Sequence, residues 1–385
     1  MDTISLDKKY IANTYARFPV EIVKGKGSLC YDETGKEYID LATGIAVNTF
    51  GFSDEEWKSA VIAQLNAFSH TSNLYFTRPC ARLAQILCDR TGMKKVFFSN
   101  SGAEANECAI KVARKYSEDK YGFGRHVIIT LKNSFHGRTI TTLSATGQDV
   151  FHANFLPLTE GFRYATANDI DSVKEQIALG GVCAIMLEVV QGEGGVMPLD
   201  KKFLEDVYSI CKEQDILLIC DEVQTGNGRC GKLYAYQNYE ILPDIVSTAK
   251  GLAGGLPMGA TMLGEKVENT LTISSHGSTF GGNPVCAAGA ISVIERIDDK
   301  LLQEVNEKSQ FIINKLKNAK GVKSVSGLGL MLGIETEKDA SEVIKACQDN
   351  GVLVIKAKNK VRLLPALNIP ISLLEKAIDV LISAL

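Results

Sequence analysis

Two residues near the middle of this chain could do chemistry together. Asp221 closes the apolar run Ile216-Leu217-Leu218-Ile219-Cys220, and Lys250 lies in Ser247-Thr248-Ala249-Lys250-Gly251-Leu252. A lysine amine condenses with an aldehyde to a Schiff base, and a carboxylate can keep a ring nitrogen protonated. A solvated lysine and a plain sheet-end aspartate are the commoner fate of such residues, so their neighbours decide.

Those neighbours include an anion cradle and a ring platform. Phe97-Phe98-Ser99 runs into Asn100-Ser101-Gly102-Ala103-Glu104, an apolar strand followed by a helix start. The N–H groups of Gly102 and Ala103 and the Ser101 hydroxyl can face a phosphate there, aided by the helix dipole. A plain N-cap serine would give the same segment. Asn133-Ser134-Phe135-His136-Gly137-Arg138 follows a second apolar run at 127–130. Phe135 can stack on a flat ring, His136 can add a polar contact or be structural, and Arg138 can hold a carboxylate bidentately. Cradle, stacker, acid and lysine are together what pyridoxal phosphate (PLP) asks of a protein.

One motif points elsewhere. Gly226-Asn227-Gly228-Arg229-Cys230-Gly231 matches GxGxxG and follows a strand. A dinucleotide turn starts at the strand end, so that backbone can approach pyrophosphate at a helix N-terminus. Here residues 221–225 intervene and put Asp221 and Glu222 where phosphates would sit, and no amphipathic helix opens at Gly231. The pattern disfavours a nicotinamide site, and no Walker A motif is present.

The elements that must position these residues are legible as alternation. Short apolar runs at 96–99, 127–130, 184–187, 217–220 and 245–247 alternate with helical patterns such as 104–116 and 204–214, which predicts a mainly parallel sheet covered by helices. Ser53-Asp54-Glu55-Glu56 reads as a capping box opening a helix through Trp57, Val61, Leu65 and Phe68. After Pro284 the pattern predicts one long helix to about 318, then strands near 329–335, 352–355 and 362–364 among helices. The expected fold class is α/β: a large domain at 51–283 and a smaller α+β domain at 284–385, joined by the N-terminal segment 1–50 with a strand around 27–40.

Composition sets the remaining bounds. The chain has 385 residues, 45% hydrophobic and 23% charged, a formal net charge of −3, and no basic cluster suited to nucleic acid. Its 10 cysteines are scattered without a CxxC pair, which favours reduced thiols over disulfides or a metal site. The N-terminus is polar, without a secretory apolar core, and no stretch reaches the roughly 18–20 apolar residues of a membrane span. A cytoplasmic protein without metal, membrane or nucleic-acid partner is the expectation.

An ordered series of segments resembles the acetylornithine aminotransferases, within class III of the fold-type I PLP enzymes. The segments are Phe135-His136-Gly137-Arg138-Thr139 through Thr146-Gly147-Gln148, Gln191-Gly192-Glu193-Gly194-Gly195, Asp221-Glu222-Val223-Gln224-Thr225-Gly226, Ala249-Lys250-Gly251 and His276-Gly277-Ser278-Thr279-Phe280-Gly281-Gly282-Asn283-Pro284. The resemblance runs from about Thr14-Tyr15 to Arg362-Leu363-Leu364-Pro365. It implies that Lys250 carries the cofactor and moves the substrate proton, and that Asp221 partners the pyridine nitrogen. It places Gln224 at the ring hydroxyl, Val223 behind the ring opposite Phe135, and Glu188 at the edge of the site. Thr279 would reach the cofactor phosphate of a neighbouring subunit, making a homodimer with shared sites. Arg138, Tyr15 and Ser278 would contact substrate. Arg362 would hold the α-carboxylate of glutamate or 2-oxoglutarate, and Glu193 would cover Arg362 when no anion is bound there.

The implied reaction moves the terminal amine of acetylornithine to 2-oxoglutarate, with ornithine, succinylated or 4-aminobutyrate donors as rivals and a PLP aminomutase as the alternative class. Gly44 stands where ornithine aminotransferases carry a tyrosine, which leaves room for an acyl group, although a tight turn could also require it. Phe52, Val189 and Cys230 depart from the usual histidine, proline and threonine of the family.

Overall fold

The computed structural model describes residues 2–385. Its main sheet has seven strands, in the order Lys95–Ser99, Gly259–Leu263, Ile245–Thr248, Leu217–Asp221, Val182–Leu187, Val127–Leu131 and Phe162–Ala165. The run from Ile245–Thr248 to Phe162–Ala165 is parallel, whereas Gly259–Leu263 is antiparallel to both its neighbours. The expected mainly parallel sheet is therefore present, with one reversed strand inserted beside the cradle strand.

The central strands read as continuous apolar runs because helices bury both faces. Along Val182–Leu187, Ile185 and Leu187 enter one core while Ala184 and Met186 enter another. Leu218 and Cys220 likewise part from Leu217 and Ile219. This is the period of two that a strand imposes on its side chains. The helix Gly102–Tyr121 caps the second core with Cys108, Ala109, Ile110, Val112 and Ala113.

The smaller domain carries an antiparallel sheet of Val322–Leu328, Met331–Thr336, Lys360–Leu363 and Ile355–Ala357. A second sheet, Ile22–Lys26, Leu29–Asp32 and Glu37–Asp40, is completed by Val352–Leu353, parallel to Glu37–Asp40. The N-terminal strands thus pair with a C-terminal one.

Three expectations need correction. The single helix from Pro284 is two, Pro284–Arg296 and Asp299–Leu316. Asp298 breaks the run because its carboxylate accepts the Leu301 N–H at 2.8 Å and caps the second helix. The helix Glu55–Ala67 is capped by Asp54, not by a box on Ser53: Asp54 accepts from the Trp57 N–H at 2.9 Å and pairs with Arg296 at 2.8 Å. The run 352–355 is not one strand, since Val352–Leu353 and Ile355–Ala357 belong to different sheets.

Candidate active site

Asp221, Glu188, Asn133 and Ser99 or the residues just after them all lie where parallel strands end, the usual place for a ligand site in such a sheet. Asp221 pairs in register with Ser247, three residues before Lys250, so sheet pairing alone brings acid and lysine to one edge.

Asp221 is buried at 4% exposure. Its Oδ2 accepts from His136 Nδ1 at 2.8 Å and from Asn106 Nδ2 at 2.7 Å, while Oδ1 accepts the Val223 N–H at 3.0 Å. One carboxylate oxygen is thus held by two side chains, and the other keeps capacity for a further donor. Asn106 was missed in the sequence. Its amide spans Asp221 and the His136 carbonyl, both at 2.7 Å, from a position 1% exposed. The available signal was an amide inside the apolar stretch of a helix, four residues after Gly102 and so on the same face.

Lys250 begins a short helical turn at φ +45, a backbone conformation costly for a residue with a Cβ. Its flanks are pinned: Asn227 Nδ2 donates to the Ala249 carbonyl at 3.0 Å, and Thr49 Oγ1 to the Gly251 carbonyl at 2.8 Å. Burial lowers the Lys250 pKa below the ordinary lysine range; Glu193 opposes this, Arg362 reinforces it, and Asp221 and Glu188 oppose it again. An amine shifted that way is a better base near neutrality.

At the helix start, Ser101 is an N-cap whose Oγ accepts the Glu104 N–H at 3.2 Å and donates to Glu104 Oε2 at 3.1 Å. The hydroxyl is therefore occupied by capping, and the cradle rests on the N–H groups of Gly102 and Ala103, which precede the first intrahelical donor. A Cβ on Gly102 would lie 2.6 Å from Val223 Cγ1, so the cradle and the Val223 loop are in close approach.

Glu188 follows its strand directly and accepts the Phe135 N–H at 2.7 Å and the Gly192 N–H at 3.1 Å, tying two site loops together. Burial pushes it up to about 7, with His136 opposing and Asp221 reinforcing. Phe135 meets Phe151 edge-on at 5.7 Å, and the exposed Arg138 lies over the Phe151 ring at 4.2 Å.

The second arginine is buried. Arg362, 2% exposed, donates from Nη1 to Glu193 Oε1 at 2.7 Å and to Gln224 Oε1 at 3.0 Å. Gln224 Nε2 reaches the same Glu193 oxygen at 3.4 Å. Burial tends to raise the Glu193 pKa, but Arg362 and then Lys250 outweigh it and hold the carboxyl below its ordinary value. Gln224, which the resemblance implies at a ring hydroxyl, bridges this ion pair with its amide.

Other expected residues stand apart. Ser278 Oγ accepts from Asn100 Nδ2 at 3.2 Å and from the Gly281 N–H at 3.0 Å, so it braces the loop beside the cradle. Tyr15 is 69% exposed under the Arg17 guanidinium. Thr279 is exposed.

Residues 10–385 match the family model described as aminotransferase class-III. This chain belongs to the class-III aminotransferases. A relative in Haemophilus ducreyi named acetylornithine aminotransferase is 53% identical over 99% of this chain and 97% of its own length. Another of that name, from Aquifex aeolicus, is 46% identical over 97% of this chain and 98% of its own. Among solved structures, N-acetylornithine aminotransferase from Stenotrophomonas maltophilia K279a shares 34% identity at a TM-score of 0.86, covering 99% of this chain and 98% of that one. An ornithine aminotransferase from Toxoplasma gondii, with partial occupancy of PLP at its active site, shares 29% at a TM-score of 0.94, covering 99% and 93%.

This aminotransferase is a PLP enzyme of fold type I, and its residues suit the cofactor. Asp221 Oδ1 keeps acceptor capacity for a protonated ring nitrogen, Gly102 and Ala103 offer N–H groups to phosphate, and Lys250 is the nearby desolvated amine. When bound, PLP supplies an aldehyde for amine capture and a ring that takes up carbanion electrons. His136 and Asn106 would then hold the Asp221 carboxylate in place for the ring nitrogen, and Lys250 Nζ would be the group to take and return the substrate proton.

Proposed function

We propose that this aminotransferase moves the terminal amino group of N2-acetylornithine to 2-oxoglutarate, giving the corresponding semialdehyde and glutamate. The observation that carries the reading is the Glu193–Arg362 pair, 2.7 Å apart. A site that must take an acylated diamine and then a dicarboxylate needs a cation that one substrate uses and the other does not. An uncovered buried guanidinium would cost several kcal/mol, and Glu193 covers it. In this reading Arg138 holds the acetylornithine α-carboxylate and the distal carboxylate of 2-oxoglutarate, and Arg362 the α-carboxylate of 2-oxoglutarate.

Gly44 supports the acylated donor. Gly44 shares its positive φ with Thr43, Ile45 and Ala46, which bear side chains there, although that conformation strains any residue with a Cβ. A Cβ there meets nothing nearer than Val47 Cβ at 3.7 Å. The relatives named acetylornithine aminotransferase point the same way.

The active unit in this reading is a homodimer in which Thr279 reaches the cofactor phosphate of the second copy. Supporting it, Thr279 is exposed, Ile273 and Phe280 leave large apolar side chains uncovered nearby in sequence, and so do Leu74, Tyr75 and Phe76, whose neighbour Asn73 donates to the Ser278 and Gly281 carbonyls. The deciding experiment compares acetylornithine with ornithine at matched 2-oxoglutarate. Acetylornithine should show the higher kcat/KM; a preference for ornithine of about tenfold, about 1.4 kcal/mol in transition-state terms, would overturn the assignment.

A further inference from the structure

The glycine run 226–231, unused by any dinucleotide, is a joint. A Cβ on Gly226 would lie 2.8 Å from the Tyr234 ring, one on Gly228 2.7 Å from Leu367 Cδ1, and one on Gly231 against Asn306 Oδ1. The turn is thus pressed onto the helix Asp299–Leu316 and onto the stretch that follows the strand Lys360–Leu363.

At its centre Arg229 is buried at 3% exposure. Its Nη1 donates to the Leu330 carbonyl at 3.2 Å and to the Pro365 carbonyl, and its own carbonyl accepts the Leu330 N–H at 2.9 Å. Burial pulls the guanidinium down to about 10, opposed by Cys230 and by Asp40, so it remains a cation at neutral pH. A buried cation committed to main-chain carbonyls is costly, which makes the geometry it imposes the point of interest.

That geometry concerns Arg362. Pro365 lies three residues beyond it, and the same stretch is held by Thr43 Oγ1 on the Leu364 carbonyl at 2.6 Å and by the Leu364 N–H on the Leu41 carbonyl at 2.7 Å. On its other side the turn continues from the loop of Asp221 and Gln224, and Gln224 touches Arg362 directly. Arg229 therefore clamps the strand end that carries Arg362 to the loop that carries the acid.

We propose that Arg229 is a positioning residue for dicarboxylate recognition, setting where Arg362 stands relative to Asp221 and Lys250. The proposal rests on the reading of Arg362 as a carboxylate ligand. Arg229→Lys keeps the charge but replaces the flat guanidinium, whose Nη1 serves both carbonyls, with a shorter-reaching ammonium. PLP affinity, titrated by absorbance on the apoprotein, should stay within about twofold of wild type, while the KM for 2-oxoglutarate rises about tenfold, and that for acetylornithine much less. In an Arg362→Ala background, Arg229→Lys should add nothing to the 2-oxoglutarate KM. Additive losses, equal losses on both substrates, or weakened PLP binding would overturn the role of Arg229 alone. An unchanged 2-oxoglutarate KM in Arg362→Ala would overturn the reading of Arg362 itself, and the proposal with it. Should Arg229→Lys fail to fold, Thr43→Val removes only the hydroxyl that holds Leu364 and must give the same split between substrates.

Discussion

Replacing Glu193 by glutamine should push the two half reactions in opposite directions. Glu193 Oε1 sits 2.7 Å from Arg362 Nη1; Arg362 is 2% exposed and the Glu193 side chain 29%, so water screens the pair from the Glu193 side only. A hydrogen bond to a charged group contributes about 1.5–3 kcal/mol net. An incoming dicarboxylate must first displace that bond. Glu193→Gln keeps the volume and an acceptor oxygen but removes the charge, so roughly half of that energy, about 1 kcal/mol, is released. The KM for 2-oxoglutarate should then fall about fivefold. Acetylornithine leaves Arg362 to its internal partner, now a weaker one, and its kcat/KM should fall by a similar factor. The same change has a pH signature. Glu193 raises the Lys250 pKa, so its removal lowers that pKa further and moves the acid limb of the acetylornithine half reaction to lower pH. Each half reaction can be followed separately by cofactor absorbance in single turnover. Both KM values moving the same way, or an acid limb shifted upward, would refute the idea that Glu193 covers Arg362 reversibly.

Three further outcomes are expected. Lys250→Ala should abolish the near-visible absorbance of the purified protein; a wild-type protein that is colourless with PLP supplied would contradict the cofactor chemistry. Asn106→Ala removes one of the two side-chain donors on Asp221 Oδ2 and should weaken PLP binding about tenfold, read by equilibrium titration, with Asn106→Gln no substitute because the longer amide cannot span both acceptors; unchanged affinity would show that His136 alone suffices. Burial pushes Glu222 from 4.5 up to about 7 despite bonds from Thr225, Ala235 and Tyr236. A carboxyl raised in the folded state contributes its stability below the unfolded value and loses it as pH rises through the folded one, here about 2 kcal/mol between about pH 5.5 and about pH 8. Glu222→Gln should flatten that loss in denaturant titrations of the apoprotein, and an undiminished slope would point to another group.

The residue types that do chemistry were legible in order along the chain, because each is set by local rules. A strand needs its apolar run, a helix start needs its cap, and Asp221, Glu188 and Gly102 stand where those elements end or begin. Glu193 and Arg362 were readable only through resemblance, since 169 residues separate them and no local pattern relates a loop carboxylate to a strand arginine. The helix break at Asp298 was missed because apolar periodicity continues across it, while the cap that ends it is a single side chain.

What the sequence by itself determined is the inventory: an acid, a lysine, a phosphate-facing helix start and two arginines, each on an element of identifiable type. Only the tertiary structure decided which of them meet. The reversed strand Gly259–Leu263 stands between the cradle strand and Ile245–Thr248, Asn106 turns out to hold Asp221, the Ser101 hydroxyl is spent on its own helix, and the glycine run is a joint around Arg229. Strand order, register and the partners of buried polar groups depend on contacts between segments far apart in the chain. Periodicity reports only which face of an element is buried, not against what.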